Sequence, residues 1–247
     1  MKNFVYLFVI FFFLFTSCKS SFYLKDVSET NEKIDSNIVF LDSNIYKIVQ
    51  PYSVSLNAKM NETIGKAEEE FTLKQPESTL GNLLADAVLE MTPKYFLEKV
   101  DFAIVNYGGI RVPSLAKGNI TLGNAYELMP FDNYVVIVKV KGSELQAIFD
   151  LMATKKGWPI AGAQYKISEG KATNILIGNQ EIKTDYIYSI ALSDYLANGG
   201  DDMSMLKTVK QENNNIILRD LFIAFFKEKK QAQTPLVPVL ENRVRYE

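Results

Sequence analysis

Three short stretches concentrate the side chains able to do chemistry. The first is Asn106-Tyr107-Gly108-Gly109-Ile110-Arg111. Its glycine pair lets the backbone turn sharply or approach a bound group. Arg111 adds a planar fork of donors suited to carboxylate or phosphate. The second is Pro130-Phe131-Asp132-Asn133, where a loop phenylalanine either stacks on a flat ligand or plugs the core. The third runs from Asp194 to Asp202 and holds Tyr195, the turn-forming Asn198-Gly199-Gly200, and Asp201. Tyr195 offers a face for stacking. An aspartate of this kind accepts hydrogen bonds from the paired hydroxyls of a ribose. Taken singly, each stretch also reads as an ordinary turn. The first matches neither the phosphate-loop nor the dinucleotide-binding glycine pattern.

Composition removes other chemistries. The 247 residues contain no histidine. That excludes a Ser-His-Asp triad, a His-based zinc site and an imidazole proton shuttle. The single cysteine, Cys18, excludes an intrachain disulfide and a thiolate cluster. Lys+Arg is 27 against Asp+Glu 29, a net charge of −2 that argues against nucleic acid as the main partner.

The elements that must position these loops follow from periodicity. Ile45, Ile48, Val49, Tyr52, Leu56 and Met60 recur at helical spacing over Asp42–Met60, with Pro51 implying a kink or a late start. Ile64–Phe71 carries Glu68-Glu69-Glu70, a solvated edge. A second helix, capped by Ser78 or Thr79, buries Leu80, Leu83, Leu84, Ala87, Val88 and Met91, and Pro93 should end it. Val100–Val105 reads as a buried strand that empties into the Asn106 turn. Thr121 caps a short helix through Met129, Tyr134–Val140 is strand-like, and Ser143 starts a helix carrying Leu145, Ile148, Phe149 and Met152. Strand candidates follow at 164–167, 174–177 and 186–192, then a last helix over 216–226. The irregular alternation predicts a single mixed α+β domain over residues 42–247, with helices packed on mixed sheets.

The N-terminus has its own logic. Lys2 precedes an unbroken apolar run from Phe4 to Phe15, then Thr16, Ser17 and Cys18. The run is shorter than the about 20 residues that span a bilayer. It suits a signal-peptide core. The pattern looks like a bacterial lipoprotein signal over 1–17, with Cys18 as the lipidated first residue and 18–41 as a tether. The plainer alternative is an ordinary cleaved signal with an incidental cysteine. The expected location is the bacterial cell envelope, on the periplasmic face or the cell surface, held by a lipid anchor only.

The three stretches, together with Glu77-Ser78-Thr79-Leu80-Gly81-Asn82 and Ile120-Thr121 through Phe131, resemble the C-terminal domain of the 5′-nucleotidase / UDP-sugar hydrolase / 2′,3′-cyclic phosphodiesterase family. The resemblance spans roughly residues 42–210 and implies that family's α+β fold. It also implies nucleotide recognition. The base would lie between Phe131 and Tyr195, the ribose would meet Asp201, and Asn106 and Arg111 would belong to the glycine-rich turn, Arg111 reaching toward phosphate. Gly108, Gly109, Asn133, Asn198 and Gly200 complete the implied substrate-binding set. Lys74 is the nearest match for a further basic residue. The sequence departs from the pattern at Tyr107, Asp132 and Asp202, where the family usually has glycine, and at Tyr195, where the ring is often phenylalanine.

The family's catalysis resides in a metallophosphatase domain with two metal ions held by His, Asp and Asn. A chain without histidine cannot build that ligand set. The resemblance therefore implies recognition without catalytic residues or cofactors on this chain, the two divalent metals belonging to a partner metallophosphatase. Three functions stay open: the recognition half of a split nucleotide hydrolase, a non-catalytic nucleoside- or nucleotide-binding surface lipoprotein, and a structural remnant. Joint retention of Asn106, Arg111, Phe131, Tyr195 and Asp201 argues against the last.

Overall fold

The structure is a computed structural model that describes residues 43–247. The signal segment 1–17, Cys18 and the tether 18–41 lie outside the described residues. Contacts divide the chain into residues 1–47 and residues 48–247. Of the first unit only the opening turn of helix α1 (Ser43–Met60) is described, and α1 runs through Pro51. No helix among the described residues is long and apolar enough to cross a membrane.

After α1 come β1 (Thr63–Ala67), β2 (Phe71–Thr72), α2 (Thr79–Phe96), β3 (Phe102–Ile104), β4 (Ser114–Leu115), β5 (Gly118–Thr121) and α3 (Leu122–Leu128). The chain continues through β6 (Tyr134–Lys141), α4 (Gly142–Thr154), β7 (Ile160–Ala161), β8 (Ala163–Ser168), β9 (Lys171–Ile177) and β10 (Gln180–Glu181). It closes with β11 (Ile187–Ser193), α5 (Asp194–Ala197), β12 (Gln211–Ile217), α6 (Leu218–Gln231) and β13 (Val244–Tyr246). This is the mixed α+β architecture expected from the pattern, with helices on mixed sheets.

A five-stranded sheet of order β12-β6-β11-β3-β7 forms the centre. Strand β6 is a near-continuous apolar run because it is covered on both faces. Val135 and Ile137 pack with Ala103 and Val105 against Leu80, Leu84 and Val88 of α2 and Phe222 and Phe226 of α6. Val136, Val138, Phe102 and Ile104 face the other way, onto Leu145, Ile148, Phe149 and Met152 of α4. Beyond α4 lies a four-stranded sheet, β10-β9-β8-β13, whose Tyr165 meets Phe149 edge-on at 5.4 Å. Two further two-stranded sheets pair β1 with β5 and β2 with β4.

Strand directions explain why three distant loops meet. Strand β11 runs parallel to β3, with Ala191 opposite Ala103. It runs antiparallel to β6, with Ser193 opposite Val135. The end of β3, the end of β11 and the start of β6 therefore share one edge of the sheet. The Asn106 turn leaves that edge, as does the Tyr195 segment, and the Phe131 loop arrives at it. A crevice outside the carboxyl ends of adjacent strands is where open α/β sheets place ligands.

Several expected boundaries shift. Pro93 does not end α2, which continues to Phe96 and closes on Leu97 in the left-handed region at φ 54°. The proline withholds one N–H from the ladder, and its carbonyl still accepts the Leu97 N–H at 2.9 Å. The expected helix over 216–226 is the strand β12 up to Ile217 and α6 from Leu218 onward. The tail contains β13, pairing in parallel with β8, which no alternation announced. Ser78, not Thr79, caps α2, its Oγ accepting the Gly81 N–H at 3.1 Å. The Thr121 cap forms as expected, as a capping box with Asn124.

Candidate functional site

Asn106, Gly108, Gly109, Arg111, Phe131, Asn133, Tyr195 and Asp201 line one cleft of about 370 Å³. Eight of the residues singled out in the sequence thus meet, although they span 95 positions from Asn106 to Asp201.

The first wall is a single 3₁₀ turn, Tyr107–Gly109, that follows β3. Asn106 is buried, and its side chain folds back over Gly109. A Cβ at position 109 would lie 2.6 Å from Asn106 Oδ1, so only glycine permits that fold. The Arg111 N–H donates to the Leu128 carbonyl at 3.0 Å, tying the turn to the end of α3. The Arg111 guanidinium donates to the Gly108 carbonyl at 3.2 Å and sits 5.7 Å from the Phe131 ring centre. That is cation–π range.

Phe131 stands on the loop between α3 and β6, and Arg219 holds that loop. Arg219, the second residue of α6, is buried. Its Nη1 donates to the carbonyls of Met129 at 3.3 Å and Phe131 at 3.4 Å. Its Nη2 pairs with Asp132, and its guanidinium lies 4.3 Å over the Tyr126 ring. Asn133 then accepts the Leu218 N–H at 2.8 Å. Asp132 therefore anchors the loop that presents Phe131.

Tyr195 rides on α5, whose first turn is capped by Ser193 Oγ accepting the Leu196 N–H at 3.3 Å. Asp194 Oδ1 accepts the Tyr134 N–H at 3.0 Å, joining this segment to the Phe131 loop. The Tyr195 ring lies flat against Gly200, where a Cβ would fall 2.5 Å from Cε1 and Cζ and 2.6 Å from Cε2. The Tyr195 hydroxyl donates to Asp201 Oδ1 at 2.9 Å and accepts the Asp201 N–H at 3.2 Å. Asn106 Nδ2 donates to Asp201 Oδ2 at 2.7 Å. The Asp201 carboxylate raises the Tyr195 pKa above its usual value, because it accepts the phenolic proton. Next to it, Lys155 bonds Asp202 at 2.6 Å, which holds the Asp202 carboxyl below the usual range and raises Lys155.

Three residues named from the sequence lie apart from the lining. Gly200 acts behind it, as the seat of the Tyr195 ring. Asn198 is exposed and accepts from the Gln211 side chain at 2.9 Å. Lys74 is exposed on the segment between β2 and α2. Two supports were missed, Arg219 and Lys155. Arg219 had a readable signal. It falls on the Phe222–Phe226 stripe of α6, and a charge on a buried stripe demands partners. Lys155 carried none.

The arrangement can hold a flat ring, a hydroxyl pair and an anion together. Among the described residues, no group of three or more His, Cys, Asp or Glu is placed to hold a metal ion. The cleft lining, with Asp201 as its one carboxylate, does not fit a two-metal centre.

Comparison with known proteins gives a family match. Residues 63–208 match the profile described as the 5′-nucleotidase C-terminal domain. The chain is 33% identical over 162 residues to a 5′-nucleotidase of Vibrio parahaemolyticus, covering 62% of this chain and 27% of that protein. It is 27% identical over 201 residues to a 5′-nucleotidase of Mus musculus, covering 71% of this chain and 34% of that protein. The chain thus spans about a third of the length of these curated relatives. The crystal structure of a 5′-nucleotidase precursor from Thermus thermophilus superposes with a TM-score of 0.70 at 24% identity, over 83% of this chain and 43% of that one. That likeness shows the fold.

Proposed function

This chain belongs to the 5′-nucleotidase C-terminal domain family, and on that premise we propose that it is the nucleotide-recognising part of a 5′-nucleotidase-type hydrolase. The base stacks between Phe131 and Tyr195. The ribose hydroxyls donate to Asp201. Arg111 faces the phosphate, with the Asn106 turn beneath it. The two-metal hydrolytic centre is supplied by a separate metallophosphatase chain, and the pair serves nucleotide breakdown at the cell envelope, where a lipid on Cys18 anchors this chain.

One observation carries the reading: Phe131, Tyr195, Asp201, Asn106 and Arg111 line the same cleft. Its volume of about 370 Å³ lies in the range of small-molecule sites. Stacking is worth about 1–3 kcal/mol per base in aromatic sites. Two rings and one carboxylate give high-micromolar to millimolar affinity once ordering costs are met. Weak binding suits a half-site, because joining the two chains restores the proximity that a covalent linker provides.

The test is AMP hydrolysis by a secreted metallophosphatase from the same organism, with and without this chain. Acceleration that Phe131→Ala removes supports the split-enzyme reading. Saturable AMP binding with no acceleration transfers the function to nucleotide capture alone.

A further inference from the structure

The nucleoside reading assigns Asp201 to the sugar but leaves the Tyr195 hydroxyl without a role, since a stacking ring needs none. That hydroxyl nevertheless makes two of the hydrogen bonds in the cleft, both to one residue. It donates to Asp201 Oδ1 at 2.9 Å and accepts the Asp201 N–H at 3.2 Å. Asp201 sits in the left-handed region at φ 49°, directly before Asp202 at φ 71°. Among residues other than glycine, Asn and Asp enter this region most readily. The phenol grips both the side chain and the amide of Asp201 there.

Its own position is equally fixed. The ring is seated against Gly200 with no room for a Cβ, and α5 is tied at Ser193 and Asp194. On the other side, Asn106 Nδ2 holds Asp201 Oδ2 at 2.7 Å. Each carboxylate oxygen is therefore engaged once by the protein. An ionised carboxylate has about four acceptor sites, so each oxygen keeps one free. Two free sites on a carboxylate held at both oxygens match two neighbouring hydroxyls better than one.

We propose that the Tyr195 hydroxyl is a positioning group for sugar selectivity: by clamping Asp201 it makes the cleft discriminate a ribonucleoside from its deoxy analogues. The inference rests on the nucleoside reading above and deepens it. A freely turning carboxylate would follow whichever hydroxyl is present, and a missing one would cost little. A clamped carboxylate leaves the unmatched site with no donor, and a site built for a hydroxyl rejects the analogue that lacks it.

The test is calorimetric titration of the full chain, in mild detergent and metal-free buffer, with adenosine, 2′-deoxyadenosine and 3′-deoxyadenosine. Wild type and Tyr195→Phe are run side by side. Wild type is expected to prefer adenosine by about tenfold or more over each deoxy analogue, the scale of one hydrogen bond to a charged group. Tyr195→Phe keeps the ring and its stacking. It is expected to bind both deoxy analogues within about twofold of wild type while the preference falls to about twofold, because the carboxylate then adapts to a single hydroxyl. A merely structural loss would lower all three affinities together and would contradict the proposal. So would a Tyr195→Phe variant that selects as well as wild type, or a wild type that binds all three sugars equally. Wild-type protein that binds none of the three overturns the nucleoside reading itself. The other contrary outcomes overturn only the role of the hydroxyl.

Discussion

Phe131 and Tyr195 are almost equally exposed, at 41% and 44%, yet the protein holds them by different means. Phe131 is fixed from behind, through its backbone. The buried Arg219 donates to the Phe131 carbonyl and to that of Met129, and pairs with Asp132. The ring itself lies 5.7 Å from the Arg111 guanidinium. Tyr195 is fixed at its tip, by hydrogen bonds to Asp201 and by the flat seat of Gly200. One ring is therefore coupled to the core of the fold, and the other to the carboxylate assigned to the sugar. Perturbing the Arg219 brace of the first should cost stability as well as binding, whereas perturbing the ring of the first or the tip of the second should cost binding with little change in stability.

The sharpest break in that contrast is Asp201→Ala. It removes the acceptor shared by Tyr195, Asn106 and the proposed ribose, and adenosine affinity should fall by about 3 kcal/mol, roughly a hundredfold, in calorimetry. The melting temperature should move little, since Asp201 lies at the rim of the cleft. Next is Arg219→Leu, which strips the Met129 and Phe131 carbonyls of a donor. It should lower stability by about 1–3 kcal/mol in urea unfolding and weaken binding in parallel. Arg219→Lys should recover only part of this, because a lysine cannot present the same fork over Tyr126.

Phe131→Ala is a smaller step. Loss of one stacking face should weaken adenosine by about 1–2 kcal/mol, with unchanged unfolding. Equal stability losses for Phe131→Ala and Arg219→Leu would remove the distinction between the ring and its brace.

The smallest effect belongs to the exposed Lys155–Asp202 pair. The Asp202 pKa is lowered, so its contribution is present above the unfolded value of about 4 and is lost as pH falls through the folded value. The Lys155 pKa is raised, so its contribution is present below about 10.4 and is lost as pH rises through the folded value. Between those limits Asp202→Asn should shift the melting temperature only slightly, because solvent screens such a pair. A pH series of melts for wild type and Asp202→Asn should converge at acid pH.

Much of the lining of the cleft was legible because loops that close on ligands use residues with special backbone demands. Gly109 and Gly200 mark positions where a side chain or a ring must come closer than a Cβ allows, and the sequence displays them directly. The order of strands around them was not legible. That β3, β6 and β11 bring their ends to one edge depends on pairings separated by scores of residues. Arg219 was legible as a charge on the Phe222–Phe226 stripe, but its partners Asp132 and Tyr126 are distant in sequence and were not. Pro93 misled because a proline removes one N–H from the ladder without having to end the helix, and α2 runs past Pro93 as α1 runs past Pro51. Lys74 followed from resemblance alone, and no local pattern tied it to the cleft. Strand β13 was hidden because a three-residue edge strand carries too few alternations to be read.

The central claim is that the cleft formed by the Asn106 turn, the Phe131 loop and the Tyr195–Asp201 segment recognises a nucleoside without any metal. The most direct test is titration of the wild-type chain with adenosine and then AMP in buffer containing a chelator, alongside Phe131→Ala and Asp201→Ala. The account predicts saturable one-site binding in the high-micromolar to millimolar range that both substitutions reduce sharply. Absence of binding at millimolar ligand, or binding that neither substitution changes, would contradict it.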